Sequence, residues 1–155
     1  MDMLNDLFAN EFFLSAGLGW LIAQFLKTII YCIVTRSFDP ERLIGSGGMP
    51  SSHSATVMGL LVAAFFNYGT GSFEFAISLF FAIVVMHDAR GVRRETGLQA
   101  HIINEMVEWM NDMGNESIPA DIKLKEFVGH SPTQVLMGAL LGAAVGIGVH
   151  YFFFL

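Results

Sequence analysis

The stretch FFLSAGLGWLIAQFLKTIIYCIV, residues 12–34, carries a single charge, at Lys27. A helix needs roughly 20 apolar residues to cross the hydrocarbon core of a bilayer, so this run reads as a membrane span. Three further apolar stretches follow it: residues 55–66, 73–86 and 135–155. The last is again full length. The middle two cover only about 20 Å each at 1.5 Å per residue, and the turn-like NYGTGS, residues 67–72, separates them. They either extend into their polar flanks, thin the bilayer locally, or form a re-entrant hairpin. All three options bring the chain back to the side it left.

Composition agrees. With 54% hydrophobic and only 14% charged residues in 155, the chain suits one membrane domain, residues 1–155. A net charge of -6 and the lack of a basic stripe interleaved with aromatics argue against a nucleic-acid partner. The one cysteine, Cys32, excludes an internal disulfide and a zinc cluster and reads as a small buried hydrophobe. Residues 1–10 are acidic and lack the basic start of a signal peptide, so the first apolar stretch is expected to stay as a span.

Following the chain across the membrane, residues 36–54 and 87–132 fall on one face. They hold Arg36, Arg42, Arg90, Arg93, Arg94, Lys123 and Lys125, while the other face holds Asp2, Asp6, Glu11 and Glu74 and no basic residue. The positive-inside rule puts the basic face in the cytoplasm and both termini outside, in the cell membrane. Residues 95–113 have Leu98, Ile102, Met106, Trp109 and Met113 on one helical face and Glu105, Glu108 and Asp112 on the other. That pattern predicts an amphipathic helix lying at the cytoplasmic interface, with residues 115–125 as a loop. The fold class is thus an all-α integral membrane protein with about four membrane helices, the central pair short, plus one interfacial helix. Gly138, Gly142 and Gly146 form a small-residue stripe for close packing, within the chain or between two copies in a homodimer.

Two histidines stand at the entrances of apolar helices on the basic face: His53 in GGMPSSHS, residues 47–54, and His130 in GHSPTQVLMG, residues 129–138. Capping accounts for the prolines, the serines and Gln134, since Ser131-Pro-Thr-Gln134 matches a capping box with proline at the first helical position. It does not account for the imidazoles. Helix N-termini offer unpaired N–H groups and a positive dipole end, so two of them with a histidine each can hold a phosphate and move protons around it. Lys27 is an intramembrane cation with Gln24 one turn away. It either points into a phosphate cavity or pairs with a carboxylate such as Asp88. In HDARGVRRE, residues 87–95, the arginines either stop translocation by charge alone or give bidentate phosphate contacts. Asp88 would orient His53 or His130, or pair with Lys27. The candidate phosphate-binding residues are then Lys27, Arg36, Ser51, Ser52, Arg90, Arg93 and Arg94. His87, Asp88, Asp39 and Glu41 match no standard ligand spacing, and no metal or cofactor is assigned.

Taken together, residues 47–55, 88–95 and 129–138 resemble the type 2 phosphatidic-acid phosphatase superfamily, which includes vanadium haloperoxidases, and within it a divergent branch of small membrane proteins. The resemblance implies a role for each histidine. Pro50-Ser-Ser-His53 is similar to a motif whose histidine protonates the leaving group, with Ser52 in place of glycine. His130 aligns with the nucleophilic histidine that becomes phosphorylated. The orienting aspartate of that motif is Gln134 here, and its Ser-Arg pair falls at Lys123 and Leu124. The Lys-x6-Arg-Pro motif, counted from Lys27, falls at Val34, with Arg36 the nearest arginine.

The expected function is a metal-independent lipid-phosphate phosphatase, a phosphoric monoester hydrolase working through a phosphohistidine at a cytoplasm-facing site. Its catalytic residues would be His130, His53 and Gln134, and its partners the bilayer and a phosphorylated lipid. The alternatives are a phosphate- or phospholipid-binding membrane protein without catalysis, and a small transporter or scaffold.

Overall fold

The computed structural model describes residues 3–38, 40–43, 45, 47–113, 123, 124, 126 and 129–155. Its helices are α1 (Met3–Phe8), α2 (Glu11–Thr35), α3 (Ser52–Tyr68), α4 (Phe73–Arg90), α5 (Val92–Asp112) and α6 (Pro132–Val149), and no strand occurs among the described residues. A 3-10 turn, Pro40–Leu43, lies between α2 and α3, and a π-helical turn, His150–Phe154, continues α6. The all-α membrane architecture is as expected.

Three helical runs are long and apolar enough to cross a membrane: Glu11–Thr35, Phe73–Asp112, whose apolar part is α4, and Pro132–Phe154. The fourth expected membrane helix, α3, has 17 residues, about 25 Å of helix. Of the options for the middle segments, both helices extend into their polar flanks. Serine caps begin each of them: Ser51 Oγ accepts from Ser54 N–H and Ser72 Oγ from Phe75 N–H.

α3 is central. It packs against α6 and α2 most extensively and against α4 on another side. Small residues make that possible. A Cβ added at Gly138 would run into the backbone of Ser51, and one at Gly142 into that of Ala55; Gly146 packs on Val62 and the Gly59 carbonyl. The pairs 138/51, 142/55 and 146/59 advance together by four, so α3 and α6 run parallel. On the other side Gly59 meets Ser15 and Gly19 meets Ala55, so α2 runs antiparallel to α3. The buried stripe of α2 is accordingly Glu11, Ser15, Gly19, Ala23 and Lys27, spaced at i, i+4. The glycine stripe of α6 thus packs on α3 within the chain.

Large apolar side chains such as Phe25, Ile29, Phe80, Val84, Leu136 and Leu140 are exposed around the bundle. In water so much apolar surface would drive aggregation, whereas lipid accommodates it. α5 keeps its stripe Leu98, Ile102, Met106, Trp109 and Met113 exposed, which fits a helix lying on the membrane surface. The Asn104 side chain clamps the chain that returns from α5: its Nδ2 donates to Leu124 O at 2.9 Å, and its Oδ1 accepts from Leu124 N–H at 3.0 Å. Most of the loop expected at 115–125 lies outside the described residues, as do Asp39 and the side chains of Glu41 and Arg42.

Candidate functional site

Parallel packing of α3 and α6 puts both histidine motifs at one end of the bundle. The two entrances are joined directly, because Ser51 N–H donates to the backbone carbonyl of Gln134 at 3.0 Å. The rings of His53 and His130 lie 5.7 Å apart, centre to centre, at 66°. Residues 77 positions apart therefore face each other across the gap between two helix starts.

His130 is held from three sides. Its N–H donates to Ala89 O at the end of α4, at 3.1 Å. Gly129 before it packs so closely on the Arg94 backbone that a side chain there would collide. On the third side the capping box sets the ring's chemistry. Ser131 Oγ accepts from Gln134 N–H, and Gln134 Oε1 accepts from Ser131 N–H at 3.0 Å. That bond fixes which end of the amide is oxygen. His130 Nδ1 lies 3.3 Å from the same Oε1, so Nδ1 must be the donor and carry the proton. The neutral ring then has its lone pair on Nε2. That atom is buried and has no hydrogen-bond partner, in a residue only 1% exposed.

Burial is the main reason the His130 imidazole sits below the ordinary histidine value of 6.5. The Gln134 hydrogen bond opposes the shift, the charges of His53 and Lys27 add to it, and the nearby Gly48 backbone opposes it more weakly. At neutral pH His130 is an uncharged base with a free Nε2.

The loop before α3 is pinned by α2. Lys27, 3% exposed, donates to Gly45 O at 2.7 Å, and Gln24 Nε2 donates to Leu43 O at 3.0 Å. Gly48 has φ +82° and lies over the Lys27 stem, a backbone conformation that favours glycine. Lys27 therefore binds a loop carbonyl, and its charge is felt at both imidazoles. The Lys27–Asp88 ion pair is not what forms. Asp88 Oδ2 accepts instead from Arg93 Nε at 2.8 Å, both partners being half-exposed. Asp88 thus acts on His53 only through space, as does Arg93.

The remaining candidates divide. Ser51 is fully buried as the α3 cap, and Ser52 lines a cavity with His53. The N–H groups of Ser52 and His53 have no partner among the described residues, as expected of a helix start that can take an anion. Arg90 and Arg94 are exposed beside the site. Arg36 ends α2 in the left-handed conformation, exposed, nine residues beyond Lys27, or about 13 Å along the helix. It is not brought to the histidines. Among the described residues no three of His, Cys, Asp and Glu gather as metal ligands would. The docking of residues 129–130 onto Ala89 and Arg94 has no counterpart in the sequence reading; the Gly129-His130 pair is its one visible signal.

A family model described as the divergent PAP2 family matches residues 8–145. The uncharacterized membrane protein YuiD of Bacillus subtilis (strain 168) is 39% identical over 156 residues, covering 96% of this chain and 99% of the relative. No solved structure matches.

Proposed function

The chain belongs to the divergent PAP2 family, and on that premise we propose that it is a membrane-embedded phosphatase of lipid phosphates with His130 as nucleophile. The observation that carries this reading is His130 itself: a neutral imidazole, its tautomer set by Gln134, with an unpartnered Nε2 and the His53 ring 5.7 Å away, centre to centre.

The chemistry follows from those positions. The Nε2 lone pair forms a bond to phosphorus while the ester P–O bond breaks. Protonated His53 gives its proton to the departing lipid oxygen. A water then attacks the phosphohistidine and passes its proton to His53. The N–P bond breaks, its electron pair returns to Nε2, and inorganic phosphate leaves. Negative charge on the phosphoryl oxygens meets Lys27, Arg93 and the N–H groups of Ser52 and His53. The excess of basic residues at this end of the bundle supports a site that opens to the cytoplasm. A site at the mouth of membrane helices suits a substrate with its head in water and its tail in lipid.

The test is phosphate release by purified protein from prenyl phosphates and phosphatidate-like lipids, in chelator, with and without His130→Ala. Release that requires His130, together with an acid-labile, base-stable phosphoryl label on the protein, is expected. Release unaffected by His130→Ala would overturn the reading. A second reading, lipid-phosphate binding without turnover, is favoured by one observation: Gln134 brings a neutral amide, not a carboxylate, to His130. Phosphate-dependent lipid binding by folded protein with no release would select it.

A further inference from the structure

Two cavities on the lipid-facing side of the bundle adjoin. One, about 420 Å³, is lined at the histidine end by His53, Ser52 and Gln24. The other, about 560 Å³, is lined further along by Gly17, Phe13 and Leu60. Trp20 and Thr56 line both. The unshared residues lie in opposite directions along α2 and α3, so the cavities run end to end along the seam between these helices, with Phe81 and Val85 of α4 beside the histidine end. From Gln24 to Phe13 the lane follows eleven residues of α2, about 16 Å of helix. Its floor is small residues, and at Gly17 an added Cβ would meet nothing within 4 Å.

The lane is lined mainly by apolar side chains, with Thr56 midway, Asn10 at its far end and Gln24 where it meets His53. The Gln24 side chain is 5% exposed. Its Nε2 is committed to Leu43 O, which fixes the amide orientation, and its Oε1 is buried without a partner. A buried acceptor left unsatisfied costs about 1–3 kcal/mol, so it marks a place for a donor.

We infer that the α2–α3 seam is the subsite for one apolar chain of a lipid phosphate, and that Gln24 Oε1 accepts a hydrogen bond from a hydroxyl or amine next to the phosphate ester. This rests on the reading of His53 and His130 as the phosphate site. The substrate class is then a lipid phosphate with a donor beside its head, in preference to donor-free prenyl phosphates. The lane reaches the phosphate site at the end where Gln24 lies.

Trp20 makes the lane observable. In the full chain carrying Trp109→Phe, Trp20 is the one tryptophan left. The probe is a brominated single-chain alkyl phosphonate, which cannot be hydrolysed, titrated in micelles against the brominated alcohol of the same chain. Saturable quenching of Trp20 by the phosphonate beyond that by the alcohol is expected, and Gly17→Leu should abolish the excess by filling the lane. A 2-hydroxyalkyl phosphonate should bind about fivefold more tightly than the plain one, as one hydrogen bond of about 1 kcal/mol implies, and Gln24→Leu should erase that ratio. Equal quenching by phosphonate and alcohol, or an excess that survives Gly17→Leu, overturns the lane. A ratio near one in the unaltered protein overturns the role of Gln24. Phosphate release is measured separately. Excess quenching without release sinks the phosphatase and keeps the lane, and release without excess quenching does the reverse.

Discussion

The two ends of the α2–α3–α6 bundle each hold a buried polar cluster built around a histidine, and they are finished differently. At the far end Glu11, 5% exposed, has both carboxylate oxygens engaged: Oε1 lies 2.9 Å from His150 Nδ1 and Oε2 accepts from Asn67 Nδ2 at 2.7 Å. His150 also stacks on Phe66 at 4.1 Å and 8°. One residue from each of the three helical columns is thereby tied to the others. At the near end His53 Nδ1, Ser54 Oγ, His130 Nε2 and Gln24 Oε1 are buried without partners, whereas toward the far end Ser15 Oγ alone is so among the described residues of the bundle. Buried polar groups are normally satisfied. A cluster that is satisfied holds the bundle, and one left open in the same bundle is shaped for something that binds.

Mutations at the two ends should therefore fail in different ways. The largest effect is expected from His130→Ala, which removes the nucleophile: phosphate release should fall on the order of 10³-fold or more, with the melting temperature little changed. A His130→Ala protein that still turns over would erase the distinction between the ends. His53→Ala should lower release by ~10²–10⁴-fold, the usual range for a general acid–base group, and an added small imidazole that restores part of the rate would sharpen the assignment. Glu11→Ala should show the converse: a loss of roughly 1.5–3 kcal/mol of stability, as for hydrogen bonds to a charged group, with turnover per folded molecule unchanged. If Glu11→Ala lowers turnover and leaves thermal unfolding alone, the far end is not a structural tie.

Much of this contrast is legible in the sequence, for physical reasons that differ by region. Spans are read from runs of apolar residues, because lipid forces every backbone group into a helix. The shared end of His53 and His130 follows from counting crossings, and the glycines at 138, 142 and 146 announce a close helix partner without saying which. That the partner is α3, a helix too short to look like the centre of a bundle, depends on Ser51, Ala55 and Gly59 meeting those glycines in register, which only the tertiary structure states. Charges are harder still. Lys27 is visibly anomalous, yet one of its partners is a loop carbonyl, and Asp88 is claimed by Arg93 five residues away. Nearby oppositely charged groups meet at lower entropic cost than distant ones, and the sequence lists only the candidates. The Glu11–His150 tie spans 139 positions and has no local pattern at all.

Gln134→Leu probes the near end at smaller scale. It removes the bonds to His130 Nδ1–H and to Ser131 N–H together, so release should fall by ~10–100-fold, the order seen when a group that orients a reacting histidine is lost. Part of that loss would come from the cap, and Ser131→Ala, which weakens the same cap from its other member, measures that part. Release lowered no further by Gln134→Leu than by Ser131→Ala would mean that Gln134 only caps α6.

The smallest expected effect is on pH, and it separates burial from hydrogen bonding. His130 sits below the ordinary value of 6.5, with burial the main cause and the Gln134 bond acting against it. Because attack needs His130 neutral while departure of the lipid oxygen needs His53 protonated, phosphate release should pass through a maximum with pH, and its acid limb, set by His130, should lie below 6.5. Stability should follow the same window with a definite sign. As pH drops through 6.5 the unfolded chain takes up a proton that native His130 does not, so stability decreases until the native group also titrates, and above 6.5 this residue contributes nothing to the slope. Gln134→Leu removes the larger of the two influences that raise His130, the Gly48 backbone being the other, so its acid limb should move to still lower pH even as its rate falls. Glu11→Ala, at the other end of the bundle, should leave the midpoint where it was. A Gln134→Leu midpoint that rises would mean that the amide does not hold the Nδ1 proton, and the free Nε2 of the near end would have to be assigned anew.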